Sequence, residues 1–444
     1  MRATRLRTGG SALLAGSGSG CGGGRDLIAK SAGNPAAKPR SRGKRWNSLV
    51  TLVYLLILAA CGGSERGCAV APSTTCTVNC VTTPPPPQFL YATSTNQILA
   101  FTIDQSTGAL GSPLVATGPN QSTGMVASAN GQLYVSDFLN DAVDGFSINS
   151  SSGALTTIAN SPFSLGGTPP GAGGLSVFVE NGPYLYATDV NAGMVAGFQY
   201  NSASGMLTPV PGSPFPAGNT PVQAVQAAPQ ATGSPLFLYV SNLNDSAGGI
   251  SAFAINQQNG SLSPIDGSPF PTGAPGSFPG PSATVVSVNN NFLYVALAGT
   301  ANANNQIAAF SINSTTGSLT PLPQSPFTTG KDPLQMAYVP LTAGTQGFLY
   351  TGNIQDGTIS AFTADNSTGV LTPVQGSPYS AGSSVGGLAS ILTSTENTFL
   401  YQSDPQTMTV RAYAINGTTG ELTPVSGSPF SAGGSAPILL VATP

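Results

Sequence analysis

Phe237-Leu-Tyr-Val-Ser-Asn242, then Ile250-Ser-Ala-Phe-Ala-Ile-Asn256, then Gly260-Ser-Leu262, then Ser268-Pro269-Phe270: this succession decides the fold, because the chain repeats it. The apolar-Leu-Tyr triplet recurs as Phe89-Leu90-Tyr91, Gln132-Leu133-Tyr134, Tyr184-Leu185-Tyr186, Phe292-Leu293-Tyr294, Phe348-Leu349-Tyr350 and Phe399-Leu400-Tyr401. A small residue followed by an aromatic comes 10 to 16 residues after each tyrosine, at Phe101, Phe146, Phe198, Phe253, Phe310, Phe362 and Tyr413. A Gly-x-Leu turn follows, led by Gly108, Gly153, Gly205, Gly260, Gly317, Gly369 and Gly420. Ser-Pro-aromatic then ends each copy at Phe163, Phe215, Phe270, Phe327, Tyr379 and Phe430, with a shortened Ser112-Pro113-Leu114 in the first. Self-similarity at a period of about fifty residues marks a repeat architecture.

Each copy resolves into four short strands. In the last, Leu388–Thr393 is an apolar run, Phe399–Ser403 a second, Thr409–Ile415 alternates, and Leu422–Val425 closes the unit. Asn416-Gly417-Thr418-Thr419-Gly420 supplies the positive-φ positions of a hairpin turn. No window carries an apolar stripe of helical period and length. Seven copies of four strands predict an all-β chain, a seven-bladed β-propeller of antiparallel blades. The first copy opens on its second strand, at Phe89, while Ala436–Pro444 has the character of a first strand with no blade after it. Ile438–Thr443 is therefore expected to pair with the strand at Phe89, completing the first blade and removing an open edge.

Composition agrees with short strands and tight turns. Only 7% of the 444 residues are charged, Gly (56) and Pro (38) are abundant, and hydrophobic residues reach 40%. Disordered chains are low in hydrophobicity, which this chain is not. The net charge of −3 hides an asymmetry, because of 13 basic residues only Lys331 and Arg411 lie beyond Arg66. Against these two stand 14 acidic residues, a net of −12 from Phe89 onward. Such a surface repels phosphate backbones, so no nucleic-acid partner is expected.

The N-terminal basic residues belong to a different device. Arg42-Gly-Lys-Arg45 precedes the apolar run Leu49–Leu58, which ends at Ala59-Ala60-Cys61. A positive segment, a short apolar run and small residues before a cut site describe a secretory signal, and the run is too short to span a bilayer comfortably. Leu58-Ala59-Ala60-Cys61 resembles a bacterial lipobox, which implies acylation of Cys61, membrane attachment through several acyl chains, and a place in the cell envelope on the periplasmic or outer side. The expected organisation is a disordered extension with signal over 1–60, a Cys/Pro-rich stalk over 61–88 and the propeller over 89–444. Cys68, Cys76 and Cys80 suit one disulfide and a free thiol in an oxidising compartment better than a metal site. Pro84–Pro87 makes a semi-rigid spacer.

The repeated P-x-x-V…F-L-Y-V-(S/A)-N…I-x-A-F-x-I-(D/N)-x-x-T-G-x-L-T-P pattern resembles the lactonase family of seven-bladed propellers, the 6-phosphogluconolactonase-like group, and also YVTN-type surface propellers. The resemblance implies the fold and, for the enzymes of the group, a lactone hydrolase activity carried by histidine, glutamate and arginine. This chain has no histidine, and its inner strands, such as Val222–Gln226, Ala283–Ser287 and Leu334–Ala337, carry no charge. Glu180 and Glu396 fall in turns, Glu421 beside a hairpin, and Arg411 on a third strand. The expectation is therefore a monomeric binding or scaffold module, with lactone hydrolysis as the alternative.

The remaining polar chemistry gathers on one face, where second-to-third-strand turns and blade-to-blade loops emerge. That face receives Asp137, Asp141, Asp144, Asp189, Asn242, Asp245, Asn353, Asp356, Asp404 and the Lys331-Asp332 pair. Carboxylates and amides there suit Ca²⁺, a carbohydrate or a peptide or protein ligand. Asp137 and Asp189 are the candidates for activating water if the chain is an enzyme. Asp and Asn are equally the residues that tight turns favour.

Overall fold

The computed structural model describes residues 86–443, apart from 177–182, 228–234, 244–248, 273–280, 288, 299–304, 342–344, 383–389 and 395. The signal, Cys61, the stalk cysteines, Glu180 and Asp245 lie outside the described residues. The described residues form strands and turns without a helix, arranged as seven antiparallel sheets. Each of blades 2 to 7 runs in chain order from its first strand to its fourth, as in blade 4: Pro221–Ala227, Leu236–Asn242, Gly249–Ile255 and Leu262–Pro264. The Ser-Pro-aromatic segment adds a short fifth strand that the sequence reading did not separate. Phe270–Pro271 pairs with the start of the third strand while Leu262–Pro264 pairs with its end.

Blade 1 is completed by the other end of the chain. Leu440–Ala442 pairs antiparallel with Gln88–Thr93, placing Leu90 opposite Ala442 and Ala92 opposite Leu440. Flanking bonds extend the zipper: the Ile438 N–H donates to Thr93 O at 2.7 Å and the Thr443 N–H to Phe89 O at 2.9 Å. Blade 1 also has its own outer strand. Leu114–Thr117 takes the place of the fifth strand, and only the isolated bridge between Ile103 and Leu110 remains of the fourth. Leu114 and Val115 are consequently 51% and 58% exposed.

The core lies between blades rather than within them. One cluster joins Phe237, Tyr239 and Ile250 of blade 4 to Leu293, Val295 and Phe310 of blade 5. Another joins Leu90, Leu99 and Phe101 of blade 1 to Phe399, Tyr401 and Val410 of blade 7, so the apolar seam continues across the closure.

The repeated triplet and the repeated glycine are two halves of one contact. Tyr91, Tyr134, Tyr186, Tyr239, Tyr294 and Tyr350 donate their hydroxyls to the carbonyls of Gly153, Gly205, Gly260, Gly317, Gly369 and Gly420, each in the next blade. Tyr401 completes the circuit onto Gly108 of blade 1 at 3.1 Å. The glycine identity is required twice over. At Gly317 φ is +73°, and an added Cβ would lie 2.5 Å from the Phe237 ring, the first residue of the triplet whose tyrosine it holds.

Two outcomes follow from this closure. Truncation after Pro437 should abolish cooperative thermal unfolding, whereas a folded, monomeric truncation would refute the role of the last strand. Tyr239→Phe leaves a buried carbonyl without its donor and should cost about 1–3 kcal/mol in denaturant unfolding.

Candidate functional site

In blades 2, 3, 6 and 7 the turn between second and third strands has four residues, and the residue that opens each one is buried. Asp137 Oδ1 accepts the Asn140 N–H at 3.2 Å, Asp189 Oδ1 the Ala192 N–H at 2.9 Å, and Asp404 Oδ1 the Thr407 N–H at 3.1 Å. These side chains brace their turns, as short polar residues do. The last turn position takes positive φ and is glycine in blades 3 and 6, at Gly193 and Gly357, methionine in blade 7, at Met408, and aspartate in blade 2, where Asp141 has φ +52°.

In blades 4, 6 and 7 the turn-opening residue has a matched partner on the third strand. Asn242 donates to Ser251 Oγ at 2.8 Å, and that hydroxyl donates on to Ala217 O. Asn353 donates to Ser360 Oγ at 2.9 Å and to Thr358 Oγ1 at 3.0 Å. Asp404 faces Arg411 at 3.9 Å, the one salt bridge among the described residues. Blade 2 breaks the pattern, because the position of Arg411 is taken there by Asp144. Burial, then the charge of Asp137, pushes the Asp144 carboxyl up to about 6.

A second acidic pair straddles blades 2 and 3. Asp141 is 1% exposed and Asp189 2%. The loop Leu165–Gly171, which joins the blades, places Gly167 and Gly171 against both carboxylates. A Cβ on Gly171 would lie 2.6 Å from Oδ1 of each, and one on Gly167 would lie 2.1 Å from Asp189 Oδ2 and 2.8 Å from Asp141 Oδ2. Burial, then the Asp189 charge, pushes the Asp141 carboxyl up to about 6, a rise that the nearby Gly167 N–H partly offsets. The sequence placed Asp141 and Asp189 on one face; their convergence needs the Gly-Gly-Thr-Pro-Pro-Gly loop, whose small residues are its only advance sign.

The other candidates do not join this cluster. Asp356 is exposed and accepts the Lys331 N–H at 2.7 Å, bracing the loop between blades 5 and 6. Glu396 is exposed, and Glu421 accepts the Thr419 hydroxyl at 3.1 Å beside its hairpin. The innermost strands, from Met125–Ala127 round to Leu440–Ala442, carry no acidic or basic side chain. No group of three or more His, Cys, Asp or Glu side chains is arranged to hold a metal ion among the described residues.

One concavity of small-molecule size opens beside the loop between blades 3 and 4. Its volume is about 490 Å³, and its walls include Pro216, Gly218, Ser251, Phe253, Pro269 and Pro271. Among the described residues no charged side chain lines it.

The model for "Lactonase, 7-bladed beta-propeller" matches residues 129–279 and 271–386. The chain belongs to the lactonase family. Solved structures agree in fold. A candidate 6-phosphogluconolactonase of Bacteroides uniformis superposes with a TM-score of 0.62 at 17% identity, covering 81% of this chain and 99% of its own. The periplasmic gluconolactonase of Pseudomonas aeruginosa gives 0.60 at 18% identity, covering 81% and 99%. A protein from Lactobacillus plantarum gives 0.58 at 18%, covering 81% and 100%. No curated protein matches the sequence. At these identities the likeness is one of architecture, and it leaves the acidic seam of this lactonase-family propeller to be read from its own residues.

The sign of the Asp144 shift sets a pH test. A carboxyl raised from 3.8 to about 6 in the folded state binds its proton more tightly there than in the unfolded chain. Its stabilising contribution is complete below the lower value and is lost as pH rises through the higher one. Asp144→Asn should therefore melt above the parent at about pH 7.5, by roughly 1–2 kcal/mol of stability, and the difference should vanish below about pH 4.

Proposed function

We propose that this lactonase-family propeller is an exported, lipid-anchored binding module rather than a hydrolase. The observation that carries the reading is the uncharged inner wall of the ring, from Met125–Ala127 to Leu440–Ala442. Hydrolysis of a lactone needs a group that activates water and a group that stabilises the developing oxyanion. The chain has no histidine. Asp141 and Asp189 are buried too deeply to meet a lactone ring, and Asp137 and Asp189 are already committed to bracing turns. The proline-walled groove beside blade 4 has the volume typical of ligand sites, and its walls combine proline and aromatic surface with backbone and serine. An uncharged carbohydrate or an extended, proline-compatible peptide fits that chemistry.

Family membership favours lactone hydrolysis as the second reading. Assay of the purified chain against γ- and δ-lactones separates the two, with no turnover above the buffer rate expected. Turnover abolished by Asp137→Ala or Asp189→Ala in a variant that still folds would reverse the order. The anchor is tested independently. Mass spectrometry should find acyl groups on Cys61 as the first residue of the mature chain, and Cys61→Ser should release the protein from the membrane fraction.

A further inference from the structure

Four carboxylates lie at or beside the seam of blades 2 and 3, and neither basic residue of the propeller is there. Lys331 is in the loop between blades 5 and 6, and Arg411 is paired with Asp404 in blade 7. The chain handles this position differently elsewhere. Blades 4 and 6 use neutral Asn242 and Asn353 against serines, and blade 7 sets a cation against Asp404. Only Asp141 and Asp189 are both buried and face each other without a compensating charge.

A buried carboxylate is costly unless it is paired, and two side by side are more so. Turn geometry accounts for one oxygen of Asp189, through Ala192. It accounts for nothing at Asp141, whose two oxygens are both buried and make no hydrogen bond of acceptable geometry, although the Gly167 N–H lies nearby. Positive φ at this position falls on glycine in blades 3 and 6 and on Met408 in blade 7, so the turn tolerates a side chain there but does not call for a carboxylate.

We propose that Asp141 and Asp189 bind a divalent cation of the hard, oxygen-seeking class represented by Ca²⁺, clamping blade 2 to blade 3. The two carboxylates supply the anionic ligands. Backbone carbonyls of the Leu165–Gly171 loop and water complete a shell that this class of ion accepts in irregular geometry. Gly167 and Gly171 keep the space clear, since a Cβ at either would enter it. With two charged ligands the affinity falls in the weak range of extracellular modules, on the order of 10⁻⁴–10⁻³ M. The ion is structural here, so the proposal is independent of the binding reading given for the groove.

Thermal unfolding of the full chain at about pH 7.5 tests it, in about 10 mM CaCl₂ against NaCl of equal ionic strength. Calcium should raise the melting temperature by about 1–3 °C. Asp141→Asn should abolish that shift and melt above the calcium-free parent. Terbium luminescence on the parent, displaced by calcium and absent in Asp141→Asn, reads the site without reference to stability. A parent insensitive to calcium, a shift that persists in Asp141→Asn, or absent terbium binding overturns the proposal. In that event a proton shared by the pair, visible as stabilisation on acidification alone, replaces the ion. Because Asp189 also braces its turn, failure of Asp189→Asn to fold would leave these readouts intact.

Discussion

A single hydrogen bond, from a buried tyrosine hydroxyl to a glycine carbonyl one blade further on, recurs at every seam of the ring. Burial raises these phenols above their ordinary range, so they remain donors at any pH the protein meets. The same glycines accept positive φ, and six of them leave room for the aromatic that opens the triplet, while Gly205 leaves it for Ile158 and Gln132. Each blade thus fixes its neighbour through a polar contact enclosed by an apolar one. A donor and an acceptor buried together cost little, whereas either alone would be expensive. The bond from Tyr401 to Gly108 is of the same kind as the rest, so closure places no separate demand on the sequence.

This repeated contact explains why the scaffold was readable in the sequence before the site was. Residues whose role recurs seven times leave seven marks, and the triplet, the glycine and the Ser-Pro-aromatic segment are such marks. In blades 2 to 7 the serine of that segment accepts a third-strand N–H, as Ser268 does from Ala252 at 2.9 Å. The strand exchange at Leu440–Ala442 was legible for the same reason, because a copy missing its first strand implies one left over. The fifth strands were not, since Phe270–Pro271 is two residues long and borrows half of a partner already assigned to Leu262–Pro264.

The acidic residues behave differently because their roles do not repeat. A turn that needs an Asx residue accepts Asp or Asn, so Asp137, Asp189, Asn242, Asn353 and Asp404 read alike along the chain. What separates them is the third-strand neighbour, Asp144, Ala196, Ser251, Ser360 and Arg411 in the same order. That pairing crosses a hairpin, and its energetics invert with the sign of one side chain. The approach of Asp141 to Asp189 spans two blades and depends on a loop of glycine and proline, where spacing carries no information.

The contrast between seam and channel bears on how such a fold acquires function. The inner strands pack against one another around the ring and hold small neutral side chains, as with Gln223, whose amide oxygen accepts the Thr284 N–H of the next blade at 2.7 Å. Gln226 Nε2 and Thr284 Oγ1 are left without a partner, but groups such as Gln223 and Ser282 are spent on joining blades. The same is true of the turn-opening Asp and Asn residues, which the scaffold consumes wherever their neighbours satisfy them. Only a polar group that the scaffold leaves unsatisfied is free for a ligand. By that criterion the seam of blades 2 and 3, with both oxygens of Asp141 outside any hydrogen bond of acceptable geometry, stands apart from the turn Asp and Asn residues described in the other blades. Asn242, whose Oδ1 is also unpartnered, comes nearest, and it adjoins the groove beside blade 4. The two departures from the repeat adjoin consecutive inter-blade loops, Leu165–Gly171 and Ala217–Thr220, which is where the regularity of the propeller fails.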